Sequence, residues 1–167
     1  MDRDLPISQR RSRRRATTRR RGVAAVEAAV LLPLALMLML GTWEVGRMVE
    51  VSQVLNNAAR EGGRSASTGQ STNSQVQQAV LNYLSNAGLP STSATVTVTD
   101  LTNPGTDCTM ATEMDQLQIK VSIPFTVVRW SAATLVTNSG TTLNATTIFY
   151  SNNGLSYPQN LSVPQAY

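Results

Sequence analysis

The chain has 167 residues, of which 5% are aromatic and 14% charged, with no histidine and a single cysteine. That length holds one modest domain with extensions, and so few aromatics are poor material for a large enzyme core; they suit a polar, β-rich head. Without histidine and with Cys108 alone, a Cys/His zinc site, a histidine-based triad and an intramolecular disulfide are excluded.

The formal net charge of +4 conceals a segregation. Nine of the fourteen basic residues (Arg3, Arg10, Arg11, Arg13, Arg14, Arg15, Arg19, Arg20 and Arg21) precede Val23, against Asp2 and Asp4. From Val23 onward, five basic residues face eight acidic ones, a net −3. Residues 1–22 are therefore a basic leader attached to an acidic body.

Residues 23–43 (VAAVEAAVLLPLALMLMLGTW) form an apolar run interrupted only by Glu27, Pro33, Gly41 and Thr42. As a helix this run rises about 31 Å, enough to cross the hydrocarbon core of a bilayer. All the nearby positive charge lies before it, which predicts a cytoplasmic leader and an external head. Trp43 falls where an interfacial anchor is expected, and Pro33 is tolerated in a membrane helix with a local kink. A secretory signal peptide would have a shorter apolar region and a small-x-small cleavage site; Gly41-Thr42-Trp43-Glu44 is a poor one. The twin arginines match a Tat signal only as any arginine-rich leader would. A nucleic-acid-binding arm is a further reading of the leader, but charge-directed topology explains it more simply, so no nucleic acid partner is expected.

Glu27 is the anomaly. A carboxylate deep in a spanning helix costs roughly 2.5–3.5 kcal/mol, and less near the interface. Either it snorkels to the headgroups from one turn inside, or it has a positive partner. Cleavage between Gly22 and Val23 would create such a partner, because the new ammonium at Val23 lies one helical turn from Glu27 on the same face. The two could pair within a chain or between packed neighbours.

Helical character is predicted to continue through residues 44–66, with Val45, Met48, Val49, Leu55, Ala58, Ala59 and Gly62 near one face and Ser52 as a polar gap. Residues 67–74 read as a linker. Gln75 to Ala87 carries Val76, Ala79, Val80, Tyr83, Leu84 and Ala87 at helical spacing, and Gly88 is placed to end it. Three strand patterns follow. Ala94, Val96 and Val98 alternate with threonines; Leu117, Ile119, Val121, Ile123 and Phe125 alternate with polar residues; Leu143, Ala145, Thr147 and Phe149 give the third. Period two leaves one apolar face, and the helix at 75–87 is its natural cover. The expected fold is thus α+β: a long membrane-spanning N-terminal helix, then a head (75–151) with a second helix packed on a roughly three-stranded antiparallel sheet. Residues 152–167, with Pro158 and Pro164, read as an irregular tail.

The N-terminal residues resemble a known family. Arg20-Arg21-Gly22, then Val23-Ala24-Ala25-Val26-Glu27 and an apolar run containing Leu32-Pro33, is similar to a class III (type IV-like) prepilin signal. Glu44-Val45-Gly46-Arg47, and Leu55 to Ala66 (LNNAAREGGRSA), resemble the TadE-like family, pseudopilins of the tight-adherence pilus system. The resemblance implies that a prepilin peptidase cuts between Gly22 and Val23 and that Glu27, fifth in the mature chain, guides assembly. It makes Glu44, Gly46, Arg47, Ala59, Arg60 and Gly62 candidates for helix packing. Its implied partners are other pilin-like or TadE-like subunits, the pilus assembly machinery and membrane lipids, at a bacterial inner membrane. Members of the family often close with an arginine and a glutamate in the last strand; here Ile148-Phe149-Tyr150-Ser151 stands there, so no role of those charges transfers.

No chemistry of catalysis emerges: GxSxG, P-loop, HExxH and Gly-rich phosphate motifs are absent from the sequence. Asp100, Asp107, Glu113 and Asp115 flank the Pro104-Gly105 turn but match no metal loop, and read as a solvated acidic loop. No cofactor is expected. Cys108 reads as a free thiol, an intermolecular link or a small buried residue, the last being preferred. Asn144 and Asn160 begin formal sequons, meaningful only in a eukaryotic secretory pathway. A TadE-like minor pilin or assembly factor is the favoured function; an unprocessed envelope anchor whose head binds a partner protein is the alternative.

Overall fold

A computed structural model describes the backbone of residues 7–130, 138 and 140–154, with side chains from Gly22 onward. The leader arginines, the tail prolines and Asn160 lie outside the described side chains. The architecture is α+β. Helix α1 (Ile7–Ser67) is followed by helix α2 (Asn73–Asn86) and three strands, β1 (Thr95–Asp100), β2 (Gln116–Pro124) and β3 (Thr142–Tyr150). The strands form an antiparallel meander with β2 in the middle.

The strand register follows from the alternation in β2. Leu117, Ile119, Val121 and Ile123 are fully buried, while their neighbours are polar and reach solvent. Antiparallel pairing sets Val98 opposite Ile119, Ala145 opposite Val121 and Leu143 opposite Ile123, so one sheet face is apolar across all three strands. A one-residue slip would turn the whole set outward.

Helix α2 covers part of that face with a stripe of Val76, Val80 and Leu84, all fully buried. The stripe is narrower than the sequence predicts: Tyr83 and Ala87 are exposed, because residues four apart already suffice to line a three-turn contact. Its start is a capping box that the 75–87 reading passed over. Thr72 Oγ1 accepts from Gln75 N–H (3.3 Å), and Gln75 Oε1 accepts from Thr72 N–H (2.9 Å). Its end is a Schellman motif, in which Leu89 N–H donates to Leu84 C=O and Gly88 N–H to Ser85 C=O, with Gly88 at φ +75°. The burial of both Leu84 and Leu89 supplies the apolar contact that accompanies this motif.

The distal third of α1 completes the core. Val51, Leu55, Ala58, Ala59, Gly62 and Ala66 recur at three- and four-residue intervals and are buried against α2 and the sheet. Here the predicted face is rotated. Val45 and Val49 are about half exposed, while Val51, outside the predicted set, is fully buried. The buried line runs through Glu44, Val51 and Leu55 with Met48 partly buried on it, and Val45 and Val49 each sit one residue, about 100° of helix, away from it.

Small residues set the closeness of this contact. A Cβ at Gly62 would fall 2.6 Å from Val80 Cγ2, and one at Gly63 would enter the Phe149 ring. Gly63→Ala should raise intrinsic helix stability by about 1 kcal/mol, yet overpacking costs about 1–3 kcal/mol. The expected net result is a lower thermal midpoint for the detergent-solubilised protein, partly restored by adding Phe149→Leu. A midpoint unchanged or raised by Gly63→Ala would refute the close approach.

Candidate functional site: the bare helix and its junction with the head

The part of α1 that precedes the head is bare. From Gly22 to Leu40 every residue is exposed, and among the described residues this is the one helix long and apolar enough to cross a membrane. Exposed Val, Leu and Met over five turns would be prohibitive in water, since burying each large side chain is favourable by up to roughly 1.5–3 kcal/mol. Lipid is the solvent in which such a surface is stable. The helix runs unbroken through Pro33.

Along its first turns, Val23, Val26, Glu27, Val30 and Leu31 recur at three- and four-residue intervals on one face of the helix. Val23 and Glu27 are thus neighbours on one face, and both are exposed. Gly22 has open space where a Cβ would stand.

The junction between span and head is held by Arg47. Its Nε donates to the Val128 carbonyl at 3.0 Å, and its Nη1 donates to Glu50 at 2.9 Å. Its guanidinium carbon lies 4.9 Å from the centroid of the Trp130 ring. A cation over an indole contributes about 0.5–2 kcal/mol depending on desolvation, and the Arg47 side chain is only 13% exposed. Trp130 in turn meets Trp43 edge to face, with ring centroids 6.3 Å apart. Glu44 is buried at 4% exposure in the same turn of helix.

The other packing candidates separate by position. Ala59 and Gly62 are buried in the head, whereas Arg60 is exposed and Gly46 faces open space within this chain. Trp130 itself was beyond the reach of the sequence reading. It lies 83 residues after Arg47, in a stretch without periodic signal; the one hint was a second tryptophan in a chain with two.

Asp100, Asp107 and Asp115 close loops, while Glu113 is exposed. Asp100 Oδ1 accepts from the N–H groups of Thr102 (2.8 Å) and Asn103 (2.9 Å), and Asp115 Oδ2 accepts from Thr112 N–H (2.6 Å). Asp107 reaches farther. Its Oδ2 accepts from Asn73 N–H at 3.0 Å, satisfying a free donor in the first turn of α2 and placing a negative charge at the positive end of that helix. Asn73 Oδ1 answers by accepting from Cys108 N–H at 3.1 Å. Among the described residues, no three of these groups converge as a metal site would require. Cys108 is buried and unpaired, and its thiol donates to the Ser71 carbonyl.

A bare spanning helix continuous with a capped α+β head defines a membrane-anchored protein with a single span among the described residues and a folded extramembrane domain. Within that class, the family model described as TadE-like protein matches residues 22–64, the stretch from the bare helix through Arg47 to the glycine pair, about a quarter of the chain. The head beyond residue 64 lies outside the match. No curated protein and no solved structure matches the chain.

Two outcomes follow for the distal loops. The hydrogen bond from Asn73 N–H, followed by that from Thr109 N–H, holds the Asp107 carboxyl below the usual aspartate range. Such a group adds stability above its unfolded value, about 3.9, and loses it as pH falls through the lower folded value. Asp107→Asn should therefore destabilise the head at neutral pH and flatten its acid unfolding below about pH 4, followed by near-ultraviolet circular dichroism. Burial, then the nearby Asp107 charge, pushes the Cys108 thiol up to about 11. Alkylation at neutral pH should be negligible in the folded protein and rapid after denaturation; rapid labelling of the native chain would contradict the packing.

Proposed function

We propose that this chain is a minor pilin (pseudopilin) or assembly factor of a tight-adherence, type IV-like pilus, and that a prepilin peptidase cuts it between Gly22 and Val23. The observation that carries the reading is the start of the TadE-like match at Gly22, where the arginine-rich leader ends and the exposed apolar helix begins. On this reading the leader stays in the cytoplasm, residues 23–43 span the inner membrane, and the head lies outside. The mature chain then begins with an ammonium at Val23, one turn from Glu27. In a low-dielectric setting each offsets the desolvation of the other, within one chain or across two packed spans. Bare helices of several subunits, packed side by side, are the assembly element; the head is the exposed cargo. This division assigns the chain no catalytic role.

One observation favours the alternative, an uncut anchor whose external head binds a partner. Helix α1 runs from Ile7 straight across Gly22, and a peptidase needs an extended substrate. The obstacle is small. A glycine is about 1 kcal/mol poorer than alanine inside a helix, so Gly22 is where local opening costs least.

Gly22→Leu adds bulk at the cut and should leave the leader attached, read as the intact mass of membrane-extracted protein. Glu27→Gln should still insert and still lose residues 1–22. Its association, read by crosslinking and pilus yield, should weaken by about 3 kcal/mol or less, the lower part of the range for breaking a buried pair, because Glu27 lies near the interface. A mature, working protein that keeps residues 1–22 would establish the uncut anchor instead. Normal assembly of the cleaved Glu27→Gln chain would reduce Glu27 to a snorkelling carboxylate.

A further inference from the structure

The head has two ends, and they differ in chemistry. The distal end carries the capped acidic loops, Asp100 to Asp115, beside the end of α1 at Ser67. The proximal end is where β2 runs out at Pro124 and a short turn, Phe125–Val127, leads to Trp130, beside the last turn of the bare helix. There Trp43, Val45, Val127 and Trp130 are exposed, Trp130 at 69%. Of these, Trp43 and Trp130 meet edge to face at the foot of the head.

We propose that Trp130 is a second membrane anchor, placed in the headgroup layer beside Trp43 so that the foot of the head is seated on the bilayer and not held above it. This rests on the reading of residues 23–43 as the membrane span. The polar layer on each side of the hydrocarbon core is about 5–8 Å deep, and tryptophan is enriched there because its ring is apolar and its N–H polar. Trp43 closes the apolar run. With its ring centroid 6.3 Å from that of Trp43, Trp130 stays within one headgroup layer of the same depth.

The loop is fixed at that depth. Arg47 grips it twice, through the Val128 carbonyl and the Trp130 ring, and Arg47 stands one turn above Trp43 on an unbroken helix. Trp43 alone would leave α1 free to tilt in any direction. A second tryptophan, on one side only, biases that tilt and fixes which face of the head looks away from the membrane.

The chain has two tryptophans, so each can be made the sole fluorophore by a conservative exchange. Full-length Trp43→Phe and Trp130→Phe are reconstituted in phosphatidylcholine–phosphatidylglycerol vesicles, with and without lipids brominated at a shallow acyl position. The expected result is strong quenching of Trp43 in the Trp130→Phe chain and comparable quenching, with a blue-shifted emission, of Trp130 in the Trp43→Phe chain. Trp43 quenched but Trp130 fully hydrated and unquenched would overturn the second anchor while leaving the span intact. A blue-shifted but unquenched Trp130, the signature of cover by a second copy, would overturn it equally. Lack of quenching at Trp43 would remove the membrane span itself, and the anchor with it.

Discussion

Everything in this protein hangs on one helix having to satisfy two solvents. The residues of α1 from Gly22 to Leu40 present an apolar surface that calls for cover from water, while those from Val51 to Ala66 are covered by α2 and the sheet. Because the backbone is helical throughout, nothing decouples the two halves. The packing of the glycine pair therefore transmits the position of the head to the span. Gly62 against Val80 and Gly63 against Phe149 bring α1 close to both neighbours, and side chains there would push the head off the axis. The TadE-like match covers this same stretch and stops at Arg64, at the end of the close approach.

Around that contact the head is economical in apolar material. Among the described residues, its buried core has one large aromatic, Phe125, with valines, leucines, isoleucines and alanines around it. What a larger core would supply is supplied partly by polar closure at the distal end. Asp107 ties the 101–115 connection to the first turn of α2, and Asn73 returns the bond through Cys108 N–H. Asn152 N–H donates to the Ser67 carbonyl, fastening the end of β3 to the end of α1. Partly buried hydrogen bonds of this kind contribute modestly when made and cost more when broken, so they specify one arrangement of loops more than they add stability.

The proximal end works on different physics. There Arg47 stands between helix and loop with its charge mostly withdrawn from water, satisfied by a carbonyl, a carboxylate and an indole face. Lysine could not replace it, since a point charge lacks the planar fork that serves three partners at once. Span, junction and head thus form one continuous unit, well suited to a subunit that is positioned by its helix and presents its head as a consequence.

Much of this was legible from the residues alone. A run of twenty-one nearly apolar residues behind nine arginines admits few structures, because unpaired backbone is intolerable in hydrocarbon and only a helix satisfies it locally. The alternation of β2 was equally plain, as period two cannot be accommodated by a helix. The resemblance to TadE-like chains rested on these same local patterns and was borne out over residues 22–64. What local pattern could not decide was phase and partnership. Val45 and Val49 look as apolar as Val51, and only the arrival of α2 and the sheet on one side determined which of them is buried. Asp107 looked like one more solvated acid until the fold brought α2 to it across 34 residues, and Trp130 had no meaning until β2 returned it to the foot of α1. Periodicity is a property of one segment and can be read from it; a contact belongs to two segments, and which two meet is settled only when the whole chain has found its lowest free energy.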